Sequence, residues 1–205
     1  MKILIIGIGS IGQRHVKIIK SYNSSFKIYA LRSSKNSIKV PGVIDCFDLK
    51  AINFKPHFII ISNPTALHEK SILDCLSFKC PLFIEKPVLS SLKNANKIKE
   101  IINNNSIITY VACNMRFTGA LLFLKNNLSK SNLRINEINI YCGSYLPDWR
   151  SNSDFRKSYS SASKMGGGVH LDLIHEIDYC VWLFGNPNSV RSIKRSNSSL
   201  KINSI

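Results

Sequence analysis

Three groups of residues combine side-chain types and spacings suited to chemistry. The first is Gly7-Ile8-Gly9-Ser10-Ile11-Gly12, which fits the pattern GxGxxG. In such a run the first glycine permits a tight turn, the second lets backbone approach a pyrophosphate, and the third lets a helix pack closely on a strand. The helix start at Ser10 and Ile11 then faces the phosphates. The second group is Glu85-Lys86-Pro87, which follows an apolar run. Residues just past the C-terminal ends of parallel strands face a ligand crevice. A lysine there, near a nicotinamide, holds a sugar hydroxyl and stabilises its developing negative charge. The third is Gly166-Gly167-Gly168 followed by Asp172, His175, Glu176 and Asp178. Asp172 to His175 is i,i+3 and Asp172 to Glu176 is i,i+4, spacings that share one helix face. An imidazole with a carboxylate one turn away is a candidate proton acceptor.

The elements needed to position these residues are legible in the apolar pattern. Lys2–Ile6 is a buried strand, followed by a helix from Ile11 to Lys20 and a strand over Lys27–Leu31. Val43–Phe47 and His57–Ser62 read as the next strands. A helix starts at Pro64 and runs to Phe78, proline suiting a first turn. Pro81–Glu85 is a strand, Ser90 or Ser91 caps a helix reaching Ile102, and Ile107–Cys113 is a further strand. Short apolar strands alternating with helices predict a doubly wound parallel α/β sheet. The rhythm changes after Asn114. A helix is predicted over Gly119–Leu128, a strand over Glu137–Tyr145, and a polar loop over Ser144–Lys164. One helix spans Val169–Phe184, and short strands lie at Val190–Lys194 and Leu200–Ile202. The predicted domains are therefore residues 1–118, a dinucleotide-binding Rossmann domain, and residues 119–205, an incomplete α/β domain.

The end of the second strand is where an acid would read the ribose of NAD. No Asp or Glu lies between Lys2 and Val43. Arg32 and Ser33 stand there instead and suit a 2′-phosphate, which favours NADP over NAD.

Composition narrows the classes. The 205 residues carry 28 Lys+Arg against 12 Asp+Glu, a formal net charge of +16. No more than two basic residues adjoin, whereas clustered blocks mark a phosphate-tracking surface. The charge is read as a general basic drift, and no nucleic-acid partner is expected. No apolar run approaches the ~18 residues of a membrane span, and no membrane partner is expected. Cysteines 46, 75, 80, 113, 142 and 180 form no CxxC pair and no zinc spacing. They read as free thiols of a cytoplasmic protein with no metal site.

The segments GIGSIGQRH, SNPTALH, EKP, CNMRF and GGGVHLDLIHEIDYCVWLFG, in that order and spacing, resemble the glucose–fructose oxidoreductase/inositol dehydrogenase (Gfo/Idh/MocA) family over residues 1–194. The resemblance implies a Rossmann domain followed by an α/β domain with an open, mainly antiparallel sheet. It implies NAD(P)-dependent hydride transfer at a hydroxyl or keto carbon of a sugar, sugar acid or nucleotide-sugar. Carried onto this sequence, Lys86 is the catalytic lysine, His175 the acid/base and Asp172 its neighbour. Asn63, Pro64 and His68 fall in the cofactor-side loop and its helix, and Glu85 lies beside the nicotinamide. Asn114 and Arg116 face the substrate. The segment YLPDWRSNSDFRKSYS is similar to members linked to bacterial surface sugars, where Trp149, Arg150 and Arg156 suit a sugar bearing a carboxylate or phosphate.

Two departures stand out. Many members space the aspartate and histidine by four residues, whereas Asp172 and His175 are three apart, which leaves the proton route open between them. Family members also continue through much of another sheet, which shields the substrate and makes the dimer contact. The chain is therefore expected to be C-terminally truncated, and a homo-oligomer is expected where the second domain is completed. The alternative is a truncated, non-catalytic dinucleotide-binding paralogue that needs a partner chain.

Overall fold

β1 (Lys2–Ile6) sits at the centre of a parallel sheet because every residue from Ile3 to Ile6 is apolar and can be buried on either face. The computed structural model of the chain describes residues 1–130, 132, 134–149, 154–193, 195 and 200. The remaining strands are β2 (Lys27–Leu31), β3 (Val43–Cys46), β4 (Phe58–Ile61), β5 (Leu82–Ile84) and β6 (Thr109–Val111). Their order is β3-β2-β1-β4-β5-β6, with every neighbouring pair parallel. This is the dinucleotide-binding order, and its direction of winding reverses between β1 and β4.

Alternation along β1 feeds two cores. Ile3 and Ile5 pack with Ile28, Ile60 and Val16, the last from α1 (Ser10–Tyr22). Leu4 and Ile6 pack with Ile59, Ile61, Leu82 and Ile84. That second core is closed by Ile72 and Cys75 of α2 (His68–Cys75) and Ile98 of α3 (Ala95–Asn104). The helix faces follow the helical period, with Gly12, Val16 and Ile19 turned toward the sheet on α1.

Boundaries moved where local hydrogen bonding outweighed the apolar pattern. The helix expected from Pro64 is preceded by a 3₁₀ turn at Thr65–Leu67 and followed by another at Leu76–Phe78. The helix expected from Ser90 or Ser91 starts at Ala95, because Ser91 Oγ accepts from Lys93 N at 3.3 Å and closes a separate turn. The chain divides into two compact units, Met1–Ala112 and Cys113–Ile205.

The second unit departs further from expectation. α4 (Gly119–Lys130) forms where a helix was predicted. The strand predicted over Glu137–Tyr145 is absent, as is the one at 190–193: these residues have no ladder partner and are exposed. An extended segment becomes a strand only when a neighbour takes its N–H and C=O groups, and among the described residues none does. The expected strand at Leu200–Ile202 lies outside the described residues beyond Leu200. The predicted loop instead contains 3₁₀ turns at Leu146–Trp149, Phe155–Lys157, Tyr159–Ser161 and Ser163–Met165. The single helix predicted over Val169–Phe184 is two: α5 (Val169–Asp172) and α6 (Ile174–Phe184), broken at Leu173, whose ψ of 33° lies outside the helical range. Among the described residues no helix is long and apolar enough to cross a membrane.

Ile59 lies wholly inside the β4 strand, between β1 and β5. Ile59→Ala is expected to destabilise the chain by about 2–5 kcal/mol, seen as a lower urea midpoint with little change in slope. An unaltered midpoint would contradict β4 as a core strand.

Candidate functional site

The first unit brings the glycine turn and the loop after β4 together. Gly7 follows β1 with φ of +87°, and a Cβ on it would lie 2.6 Å from the Asn63 backbone N and Cα. Only glycine satisfies both conditions. Ser62 Oγ donates to Gly7 O at 2.8 Å, and a Cβ on Gly12 would lie 2.5 Å from that same oxygen. Gly9, at the α1 N-terminus, has nothing within 4 Å of its Cβ position and is exposed with Ser10. Each glycine thus occupies the place its motif position requires, with open space above the second. Ile11 is half-buried in the first turn of α1, where N–H groups have no intrahelical acceptor.

Asn63 and His68 turn inward. Asn63 Nδ2 donates to Ser71 Oγ at 2.8 Å, while Asn63 Oδ1 is buried with no hydrogen-bond partner among the described residues. That orphaned acceptor beside Gly7, with the open cradle at Gly9, fits a dinucleotide crossing the end of the sheet. Pro64 leads the 3₁₀ turn that follows. His68 was expected on the cofactor side. It is 1% exposed, with Nδ1 3.0 Å from Pro87 O and 3.2 Å from Val88 O, and Nε2 2.9 Å from Asn63 O. It has no surface to offer a ligand. Burial pushes its pKa down, against the pull of the Asn63, Val88 and Pro87 carbonyls and the Glu85 charge.

Glu85 and Lys86 close β5, and the Lys86–Pro87 peptide is cis. Lys86 is half-buried, and Glu85 Oε1 lies 2.7 Å from His15 Nε2. His15 was not singled out from sequence: GIGSIGQRH ends on it, but nothing in the motif says which residue, seventy positions on, its helix face meets.

Arg32 differs from expectation. Its side chain is 7% exposed, with Nη1 donating to Asp45 Oδ1 at 3.1 Å and Nη2 to Ile38 O at 2.9 Å. The guanidinium braces the loop between β2 and β3 instead of facing solvent. Ser33, Ser34, Lys35 and Asn36 are exposed after β2.

The second unit holds the other predicted residues. Asp172 is buried; its carboxylate accepts from Ser160 Oγ and from Gly168 N, both at 3.3 Å. It ties the glycine turn to the Tyr159–Ser161 turn. With the helix broken at Leu173, Asp172 and His175 lie on different helices, so the shared face predicted from their spacing does not form. Arg116, expected to meet substrate, is bidentate on Asp178, with Nε to Oδ2 at 2.9 Å and Nη2 to Oδ1 at 2.5 Å. Burial raises the Asp178 pKa, but hydrogen bonds from Arg116 and Cys113 and the charges of Arg116 and His175 outweigh it and hold the carboxyl below its usual value. The Arg116 guanidinium and Lys125 Nζ lie 6.0 and 5.1 Å from the Trp182 ring centroid. Asn114 is exposed at the start of the 3₁₀ turn Asn114–Phe117 that also carries Arg116. Trp149 donates to Ser144 Oγ, and exposed Arg156 donates through N and Nε to Asp154 Oδ1. Arg150 lies outside the described residues. No cluster of three or more metal-ligating side chains occurs among the described residues.

Comparison with known proteins adds a family and a fold. Residues 1–113 match the family model described as oxidoreductase family, NAD-binding Rossmann fold (GFO_IDH_MocA). The chain is 24% identical over 176 residues to scyllo-inositol 2-dehydrogenase (NADP(+)) IolW of Bacillus subtilis, covering 84% of this chain and 48% of that protein. It is 25% identical over 190 residues to an oxidoreductase of Schizosaccharomyces pombe, covering 86% and 49%. The chain thus spans about half the length of the curated relatives it matches. Among solved structures, the WlbA (WbpB) dehydrogenase of Thermus thermophilus in complex with NAD and UDP-GlcNAcA superposes with a TM-score of 0.73 at 20% identity, covering 96% of this chain and 67% of that one. The same enzyme with NAD and α-ketoglutarate gives 0.72. These likenesses are of fold.

Because the folded state lowers the Asp178 pKa, the carboxylate contributes stability that is full above the unfolded value and lost as pH falls through the folded one. Asp178→Asn is expected to lower stability at neutral pH and to flatten the acid loss below about pH 4. Urea midpoints measured against pH check this, and parallel curves for the two proteins would refute it.

Proposed function

The chain belongs to the Gfo/Idh/MocA oxidoreductase family, and on that premise we propose that it serves NAD(P)-dependent hydride transfer at a hydroxyl or keto carbon of a sugar, sugar acid or nucleotide-sugar. The observation that carries this reading is the cradle at the switch between β1 and β4, where open space lies at Gly9 on the α1 N-terminus and Gly7 packs against Asn63, whose buried Oδ1 has no partner among the described residues. The dinucleotide's phosphates lie against Gly9, Ser10 and Ile11. When bound, the nicotinamide supplies the hydride acceptor or donor. Lys86 holds the oxygen of the reacting carbon, and its ammonium stabilises the negative charge that develops there. His175 takes the proton of the substrate hydroxyl, or returns it in the reverse direction. Asp172 serves through the glycine turn it holds, while Arg116 and Asp178 fix the turn that carries Asn114.

NADP is the favoured cofactor. Support comes from the absence of any acid before Val43, from the exposed Ser33, Ser34 and Lys35 after β2, and from a Bacillus relative named for NADP(+). With Arg32 held by Asp45, the residues left to meet a 2′-phosphate are the two serines and Lys35. A carboxylate- or phosphate-bearing sugar is the finer substrate reading, resting on Trp149 and Arg156 and on the UDP-GlcNAcA in the Thermus enzyme. All six cysteines are thiols, which supports a cytoplasmic setting.

A second reading, a non-catalytic dinucleotide-binding chain that needs a partner or a second copy, draws on exposed apolar side chains in the second unit. Phe117, Phe123, Val169 and Ile177 are all more than half exposed. Turnover separates the two. Lys86→Met is expected to leave NADPH binding within about twofold and to abolish sugar oxidation, since it removes only charge stabilisation in the transition state. Turnover retained in that variant would refute the role of Lys86, and binding without turnover in the unaltered chain would favour the second reading. NADPH is expected to bind more tightly than NADH, and Lys35→Ala to narrow that gap. Equal affinities in the unaltered chain would refute the cofactor preference.

A further inference from the structure

The turn that carries Lys86 is gripped on both flanks by a histidine. On one side His15, in the second turn of α1, meets Glu85 Oε1 at 2.7 Å, with the two side chains only 16% and 12% exposed. The imidazole also stands edge-on to Phe83, two residues earlier, with ring centroids 5.4 Å apart and planes at 77°. On the other side His68, the first residue of α2, faces the carbonyls of Pro87 and Val88 with Nδ1 and that of Asn63 with Nε2. Neutral imidazole has one N–H, so His68 then donates to one side, and as imidazolium to both. The anchored groups belong to the residues on either side of Lys86.

Burying an imidazole costs free energy that an apolar residue in the same place would not. Here His15 Nε2 meets one end of the Glu85-Lys86-Pro87 turn and His68 Nδ1 the other, while His68 Nε2 reaches the Asn63 carbonyl. Each ring also belongs to a second element: His15 to the helix whose N-terminus faces the dinucleotide cradle, His68 to the helix that follows the Asn63 loop. A lysine side chain is long and flexible, so where its ammonium can reach is set by where its Cα is held, and small misplacements of a catalytic group are costly. We propose that His15 and His68 are positioning residues that fix the Glu85-Lys86-Pro87 turn against α1 and the Asn63 loop, and so set the reach of Lys86. The proposal deepens the function given above and rests on Lys86 being its working group.

The test uses the full chain and does not depend on turnover. His15→Phe keeps the edge-on ring contact with Phe83 and removes the nitrogens; His15→Gln returns an N–H donor. Each protein is treated with limiting acetic anhydride, and acetylation is read lysine by lysine by mass spectrometry. Lys20 and Lys70 serve as internal references, because their ammonium groups are held by Ser24 and Phe26 carbonyls and by Asp74, away from the turn. His15→Phe is expected to raise the Lys86 rate about tenfold, the ratio that corresponds to ~1.4 kcal/mol of lost hydrogen bonding, and His15→Gln to return it most of the way. His68→Asn is expected to raise Lys86 selectively as well. An unchanged Lys86 rate in His15→Phe overturns the proposal. So does a uniform rise at all three lysines, which is what a merely structural histidine would produce. NADPH and NADH titrations on the same samples keep the two readings apart. A chain that binds neither removes the proposed function, while the Lys86 rates still judge the histidine grip.

Discussion

The loops after β1 and β4 approach so closely that no side chain fits between them, and the first unit is arranged around that approach. At Gly7 the backbone takes a conformation that disfavours a Cβ, and it meets Asn63 where a Cβ would collide. The Gly7 carbonyl is then held by Ser62 and overlain by Gly12, so one peptide group fixes the start of α1 and the exit of β4. Because winding reverses between these two strands, the same contact opens the crevice at the ends of the sheet. The helix N-terminus, the Asn63 loop and the Lys86 turn follow from it in sequence.

Carboxylates act here as anchors. In a chain of +16 formal charge, a scarce acid is surrounded by available cations and donors. Asp45 takes the Arg32 guanidinium, Asp178 takes that of Arg116, Asp172 takes Ser160 and the Gly168 amide, and Glu85 takes His15. Two arginines that looked like ligand contacts are thereby paired within the chain, Arg32 nearly buried and Arg116 with its side chain 37% exposed. Partly buried pairs of this kind are screened less than exposed ones, and breaking one leaves its partner charge poorly solvated. The basic excess is in this respect a background against which a few acids decide where particular loops are held.

The architecture of the first unit was legible because its signals are local. An apolar run of four isoleucines and leucines ends in a glycine turn, and the pattern repeats with helices between, so strand order and parallel winding follow from connection rules. The boundaries were less legible where a serine turn or a 3₁₀ turn competes with a helix, as at Ser91 and Thr65. The second unit was read least well. The isoleucine-rich segment 134–145 has the composition of a strand, but a strand exists only with a neighbour, and that is a property of another part of the chain. The helix after the glycines carries a continuous apolar face through Leu173, yet the backbone turns there, and Asp172 accepts from the Gly168 amide at the start of the first of the two helices.

What the sequence by itself determined is the type of fold, the family and the identity of the groups able to do chemistry, since glycine spacing, strand-end lysine and acid–histidine clustering are written in adjacent residues. What only the tertiary structure decided is which of those groups are bound up in holding the fold. Arg32, His68 and Arg116 have the chemistry of ligand contacts, and His15 drew no attention. Their roles depend on partners 13, 19, 62 and 70 positions away. A hydrogen bond across such a separation is created by the packing of each unit, around β1 for His15, Arg32 and His68 and within the second unit for Arg116, and no local pattern encodes it.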